Sequence, residues 1–341
     1  MRYDRSISQH NALHSIFKKF GLVLISSFSA LASVAQVGAW SQYHLLPNVT
    51  NPASADSVTL VLVHFRRQAQ VAGFSHTTAG LSFFKPLHLG SSRRRFASVN
   101  FTAQHDQSGA NNLFQVSQMF GGFSYHLKLS TNQELSFGTQ AGCLLGRIDV
   151  TKITTGNQFG PFGYDPGLPT GEAFVDGKAA ALIINTGLVW NLIDTNGNPQ
   201  ACLGVAGYQV NRPNFSFTGG ENVLPVRYLM HGGIRIFQQG GLAAIPTFRW
   251  IHEQGFNHLN VGCRLQFNNE KSHLLNEGSI ALNTWYSLNN GLICSLDIVQ
   301  PHYIIGLSYD LPIDSHATQQ YMSGAFEVVI GWRTSSRVND R

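Results

Sequence analysis

Between His258 and Phe267 the chain alternates without a break. Leu259, Val261, Cys263, Leu265 and Phe267 are apolar, and His258, Asn260, Gly262, Arg264 and Gln266 are polar or small. A period of two puts the first set on one face of a β-strand and the second set on the other. Similar runs predict strands over 58–65, 78–84, 98–104, 118–129, 134–143, 179–192, 201–210, 226–237, 242–250, 259–267, 279–286, 292–298, 303–310 and 326–332. The count is about fourteen, an even number, as single-chain bacterial barrels have. The pattern predicts an all-β chain closed as a transmembrane antiparallel β-barrel, apolar towards lipid and polar towards the lumen. Val261, Cys263 and Leu265 then face lipid, and Asn260, Gly262 and Arg264 face the lumen. A soluble all-β protein could carry the same alternation.

The segments between runs sharpen the picture. Asp194-Thr195-Asn196-Gly197-Asn198 and Gln239-Gly240 are turn signals between alternating runs and predict tight hairpins. Counted from a periplasmic N-terminus, the outer connections include the long stretches His105 to Phe114, Asp149 to Gly177 and Asn211 to Leu224. The inner ones near Ser130, Asn196 and Gly240 are short, which is the asymmetry of outer-membrane barrels. The inner connection Asn268 to Glu277 breaks that rule. Phe65, Tyr125, Trp190, Trp250, Tyr286 and Trp332 fall near strand ends, where aromatic side chains suit a membrane interface.

Ahead of the strands, Lys18 and Lys19 precede an apolar run from Phe20 to Leu31, and Ser33-Val34-Ala35 supplies small residues for cleavage. This is the make-up of a secretory signal peptide, and the run is too short for a spanning helix of ~20 apolar residues. The expected layout is a signal peptide over 1–35, a short periplasmic lead segment over 36–56, a barrel over 57–333 and a tail over 334–341. Removing the leader takes the formal charge from +5 to +2, because Arg2, Arg5, Lys18 and Lys19 leave with Asp4. The basicity therefore belongs mostly to the leader, and nucleic acid is not an expected partner. Charged residues make up 12% of the chain, against about 25% in soluble domains, which suits a lipid-facing wall. Cys143, Cys202, Cys263 and Cys294 lie singly in candidate strands, as small apolar fillers or as disulfide partners.

Little in the chain points to catalysis. It has no phosphate-binding glycine loop, no HExxH and no GxSxG, and its 14 His are dispersed without metal-ligand spacing. Asp106 with Glu134 and Asp165 with Glu172 are nominal acid–base pairs that nothing places across a cleft. We expect no catalytic residue, no metal and no cofactor. Arg93-Arg94-Arg95 is the one sharp charge cluster, either a solvated inner turn or a docking patch for an acidic periplasmic partner.

Several motifs occur in an order that resembles one family. Trp40-Ser41-Gln42-Tyr43, Pro47 and Asn51-Pro52-Ala53 resemble the "FSQY…NPAxAG" opening of the PorP/SprF family, outer-membrane proteins of the type IX secretion and gliding machinery of Bacteroidetes. Phe65-Arg66-Arg67-Gln68, Gly73 and Leu81-Ser82-Phe83 are similar to its "YRxQW…G…LSF", without the Trp. Phe123-Ser124-Tyr125-His126-Leu127 and Leu135-Ser136-Phe137-Gly138 resemble "YAYRxxL…LSFG". Ile305-Gly306-Leu307-Ser308-Tyr309-Asp310 resembles "IGYSYDY", and Glu327-Val328-Val329-Ile330 resembles "HEIxL", with Phe326 in place of His.

The resemblance implies a non-enzymatic barrel in the cell outer membrane, working as part of a secretion machine. It implies outer-membrane lipids, periplasmic ring or peptidoglycan-binding components and a secreted surface adhesin as partners. Ser41, Gln42, Tyr43, Asn51 and Pro52 become candidate partner-binding residues, beside Arg93, Arg94 and Arg95. The same lead segment could instead plug the barrel's periplasmic mouth. The alternative functions are a passive porin or small-solute transporter and, from another class, an outer-membrane hydrolase.

Overall fold

The structure is a computed structural model and describes residues 40–54, 56, 58–70, 75–89, 95–109, 112–161, 163–171, 177–194, 199–268, 278–288, 291–313 and 322–334. The leader, Arg93, Arg94, the Asn196-Gly197 turn and residues 269–277 lie outside the described residues.

Among the described residues one antiparallel sheet is built of fourteen strands, with the short piece Phe237–Gln239 continuing the eighth beyond a bulge. They are β1 (Thr59–Gln70), β2 (Ser75–His88), β3 (Arg95–Gly109), β4 (Phe114–Lys128), β5 (Gln133–Ile148), β6 (Lys178–Ile193), β7 (Pro199–Tyr208), β8 (Arg227–Ile234), β9 (Leu242–Glu253), β10 (Phe256–Asn268), β11 (Ser279–Ser287), β12 (Gly291–Val299), β13 (Tyr303–Leu311) and β14 (Met322–Thr334). Each pairs with its neighbours in sequence, and β1 pairs with β14 from Thr59↔Thr334 to Gln70↔Met322, which closes the barrel. Closure removes the open edges that a sheet of this width would otherwise present.

Side chains alternate across the wall as the pattern predicts. Val261 and Leu265 are exposed on the outside, whereas Asn260 is fully buried inside. The outer face presents Val63, Leu81, Phe101, Phe123, Phe137, Leu188, Leu282, Leu296, Leu307 and Ile330. The inner face presents Ser82, Asn100, Thr102, Gln140, Asn185 and Asn283. All four cysteines are free and half-buried.

Every predicted strand exists, but several limits differ. Ser75–Thr77 and His105–Gly109 extend β2 and β3, so the loop expected from His105 to Phe114 shrinks to a short connection. These ends are polar and therefore escape a reading based on apolar alternation. The hairpin after β8 turns on Gly240-Gly241, both with positive φ, one residue beyond the expected Gln239-Gly240. Before that turn, the stretch from Gly233 to Phe237 faces the shorter stretch from Thr247 to Ala244, so one extra residue bulges there and splits the expected strand over 226–237. The outer connection of β9 to β10 is a two-residue turn at Gln254 (φ 46°) and Gly255 (φ 82°), the positive-φ pair that a tight hairpin uses.

The lead segment lies inside the barrel, in keeping with the plug alternative. Residues 40–54 enter the lumen and are buried almost throughout, with Gln42, Leu46, Asn51 and Ala53 at 0% exposure.

The outward register of β10 can be tested directly. Val261→Lys places a charge on the lipid face and should destabilise the barrel by up to about 2–4 kcal/mol, whereas Val261→Phe should cost little. Urea unfolding in lipid vesicles measures the difference. Equal stability of the two variants contradicts the outward assignment of Val261.

Candidate functional site: a lead segment locked in the lumen

The lead folds as two short turns. A 3-10 turn covers Tyr43–Leu45, and one helical turn, Pro47–Thr50, starts on a proline, whose fixed φ suits a first helical position. Asn51 closes the segment by accepting the Ala53 N–H through Oδ1 at 2.9 Å. This compact shape lets fifteen residues meet walls on opposite sides of one lumen.

The first anchor is ionic. Both Glu327 carboxylate oxygens on β14 accept from the lead, one from the Ser41 N–H at 2.7 Å and one from the Gln42 N–H at 2.9 Å. Arg66 on β1 pairs with Glu327 and, at 3.0 Å, with Asp310 on β13. The Ser41 hydroxyl donates to Asp310 at 2.7 Å and accepts from Arg66 at 2.9 Å. From β9, Arg249 donates to the Trp40 carbonyl at 2.5 Å, and its guanidinium carbon lies 4.4 Å from the centre of the Tyr43 ring. Two guanidiniums and two carboxylates therefore enclose residues 40–43. Burial outweighs the nearby Arg249 charge and pushes the Tyr43 hydroxyl above its ordinary pKa.

A second anchor fixes His44. Its Nε2 lies 2.7 Å from Asp297 Oδ2 on β12, and that same oxygen accepts from Asn283 on β11 at 2.7 Å. The Trp285 ring lies 5.1 Å from the His44 ring and 5.7 Å from the Tyr43 ring. An apolar cluster of Trp40, Leu45 and Leu46 with Leu60, Leu62, Phe84, Ile304 and Val329 joins the lead to β1, β2, β13 and β14.

The far end is held by amides. Asn48 donates to Thr102 Oγ1 on β3 at 2.7 Å and accepts through its carbonyl from Gln140 on β5 at 2.9 Å. Tyr208 at the end of β7 donates to the Val49 and Thr50 carbonyls. Asn51 Nδ2 reaches the Leu188 and Val205 carbonyls on β6 and β7 and lies 3.2 Å from His231 on β8. Ser124 on β4 donates to the Pro52 carbonyl at 2.7 Å. Three glycines make room for the lead. A Cβ on Gly138 would strike the Pro52 carbonyl, one on Gly187 the Asn51 amide, and one on Gly306 the Gln42 and Leu45 side chains.

Further out, a different segment packs against the lumen wall on β4, β5 and β6. After Gln209 (φ 56°) the β7–β8 connection turns inward, and Phe215 packs against Phe120, Leu144, Ala179 and Ile183 with Phe217 beside it. This apolar packing comes from a stretch expected to be an outer loop.

The structure brings Ser41, Gln42, Tyr43, Asn51 and Pro52 together inside the barrel. It does not bring Asp106 and Glu134 together, and Glu172, the nominal partner of Asp165, lies outside the described residues. Asp106 accepts from Thr78 near the outer end of β3, while Glu134 pairs with Arg95 at the inner end of β5. Arg95 thus serves a wall contact and also donates to the Asp56 carbonyl at 2.5 Å. Among the described residues no group of three His, Cys, Asp or Glu could hold a metal ion. Arg66, Asp310, Glu327, Ser124, Gly138 and Gly306 were not singled out from sequence as site residues, yet each lies in a motif that carries the family resemblance.

A closed fourteen-stranded barrel with an apolar outer wall and a packed lumen defines an outer-membrane β-barrel protein. The sequence model of the type IX secretion system membrane protein PorP/SprF matches residues 32–332, and the chain belongs to that family. Its place is the outer membrane. No curated protein matches the sequence. Among solved structures, the chain is similar to the Pseudomonas putida toluene transporter TodX, at 8% identity over 84% of this chain and 92% of that one, with a TM-score of 0.49. It is also similar to a Pseudomonas aeruginosa FadL homologue, at 9% identity over 85% and 94% of the two chains, with a TM-score of 0.45. A third is the β domain of the Bordetella autotransporter BrkA, at 13% identity over 82% and 100%, with a TM-score of 0.41.

Two substitutions test the lock. Glu327→Ala leaves the Ser41 and Gln42 amides without their acceptor and Arg66 with Asp310 alone, at a cost of about 3–5 kcal/mol. Gly187→Val drives a side chain into the space of Asn51 without touching a charge. Hydrogen exchange at amides 41–53 should accelerate in both variants while the β1–β14 ladder stays protected. Wild-type exchange rates in both would refute the lock.

Proposed function

We propose that this barrel serves type IX secretion as a non-enzymatic component that helps to export surface adhesins, or to attach them to the cell, including those used in gliding. Periplasmic ring or peptidoglycan-binding components are its proposed inner partners. The observation that carries this reading is the occupied lumen. Residues 40–54 touch the wall on opposite sides, and Phe215 packs against the wall further out on β4, β5 and β6. A passive porin needs an open polar lumen, and a barrel packed in this way is poorly suited to the work. A rigid, filled barrel suits a platform that other proteins dock on.

On this reading Ser41, Gln42, Tyr43, Asn51 and Pro52 hold the lead in place and meet a partner only when the lead is withdrawn. Arg93, Arg94 and Arg95 remain a candidate docking patch, with Arg95 already drawn towards Glu134.

The experiment pairs deletion of the protein with single-channel recording. Cells lacking it should lose adhesin from their surface, and the purified barrel in planar bilayers should show no large steady conductance. Removal of residues 40–54 should raise conductance. A large steady conductance of the intact barrel together with normal adhesin display on deletion would favour the porin instead.

A further inference from the structure

The outer end of the β5–β6 hairpin carries a charge arrangement that the luminal lock does not use. Arg147 on β5 and Lys178 on β6 are directly opposite each other in the register. Both lie on the outward face and are exposed. Like charges at opposed positions repel. Among the described residues neither takes part in an ion pair. Gln115 of β4 stands opposite Arg147 on its other side, in the same outward row.

Below this pair the wall is apolar. On β5 the outward positions from Leu135 through Phe137 and Cys143 to Leu145 carry no charge, and on β6 Ala180, Leu182, Ile184 and Leu188 do the same. Leu182 is 63% exposed. Ten residues at ~3.3 Å each, foreshortened by a tilt of ~40°, cover about 25 Å, the height of the apolar band of such barrels. Arg147 and Lys178 therefore sit just above the outer hydrocarbon boundary. The long connections, 149–177 and 209–226, leave from this end of the barrel, which marks it as the extracellular side.

The wall is also stepped at this point. β7 pairs with β6 only as far as Thr186↔Gly207. Beyond it, Val210 donates to the Ile184 carbonyl at 2.9 Å, and the Asn211 side chain bonds both the Ile184 N–H and the Leu182 carbonyl. The outer part of β6 thus rises past its neighbour, and Lys178 is reached from the side as well as from above.

We infer that Arg147 and Lys178 bind a phosphate group of an acylated glycolipid in the outer leaflet. The phosphate would sit between the two cations, with its acyl chains against Leu145, Ala180 and Leu182. An anion between the cations removes their repulsion, and the apolar patch beneath matches the chains that a lipid phosphate carries and a free phosphate lacks.

The test uses the full-length barrel in detergent, with a purified bis-phosphorylated lipid A, its dephosphorylated form and inorganic phosphate as probes, read by native mass spectrometry. The phosphorylated lipid should be retained in preference to both others. Arg147→Gln with Lys178→Gln should weaken its binding by about thirtyfold, at ~1 kcal/mol for each basic residue at a charged surface. Arg147→Lys with Lys178→Arg should bind nearly as the wild type does. Retention of the dephosphorylated lipid equal to that of the phosphorylated one overturns the inference without recourse to any variant. So does inorganic phosphate that binds as tightly as the lipid, or unaltered lipid binding in a folded glutamine variant.

Discussion

The Glu327 carboxylate is the contact on which the interior depends. It is fully buried, and a buried carboxylate is costly unless it is paired and hydrogen-bonded. Arg66 supplies the opposite charge, and the backbone amides of Ser41 and Gln42 supply the remaining donors. Neither wall nor lead satisfies the group alone. The charge on β14 therefore fixes where the lead must lie, because any shift of residues 41 and 42 leaves acceptor atoms unmatched. Buried ion pairs contribute little net stability once desolvation is counted, so the value of this one is positional.

Around that point the lumen is packed as a protein core rather than as a channel. Trp40, Leu45 and Leu46 join wall residues at one level, and Phe215 joins Phe120, Leu144 and Ile183 at another. Between them runs an amide network from Asn48 through Gln140 to Asn100 and Asn185. Glycines at 138, 187 and 306 let backbone and side chains of the lead approach the wall closely. Polar side chains on β1, β3, β4, β5, β9, β12, β13 and β14 are thus each matched to a particular atom of the lead.

The wall was legible in the sequence because alternation with a period of two reports directly on it. Val261 out and Asn260 in follow from one residue's shift along β10. Strand ends were less legible where they are polar, as at His105–Gly109, because alternation needs apolar members to be seen. The location of the lead was not legible from periodicity at all, since alternation says which side chains face a lumen and nothing of what fills it. The motifs held that information in scattered form. Ser41 and Gln42 come from the first, Arg66 from the second, Asp310 and Glu327 from the last two, and these residues meet in one cluster. Asn51-Pro52 meets Ser124 and Gly138 of the middle motifs in the same way. Short patterns that are weak one at a time acquire a single physical reason once the two halves of each contact are seen.

The two layers of this architecture are held by different bonds, and that separation has a mechanical consequence. The wall is a continuous ladder from β1 round to β14, and residues 40–54 contribute no rung to it. The lead is held by ion pairs, side-chain amides and two apolar clusters, and it precedes β1 in the chain. Withdrawing it therefore breaks no strand pairing and threads no loop, whereas removing any single strand would open the barrel. The energy needed to withdraw the lead is set by the anchors at Glu327, Asp297 and Asn51 together with its apolar packing, separately from the ladder that keeps the barrel closed. A partner acting on the lead could change the interior while the wall in the membrane stays intact.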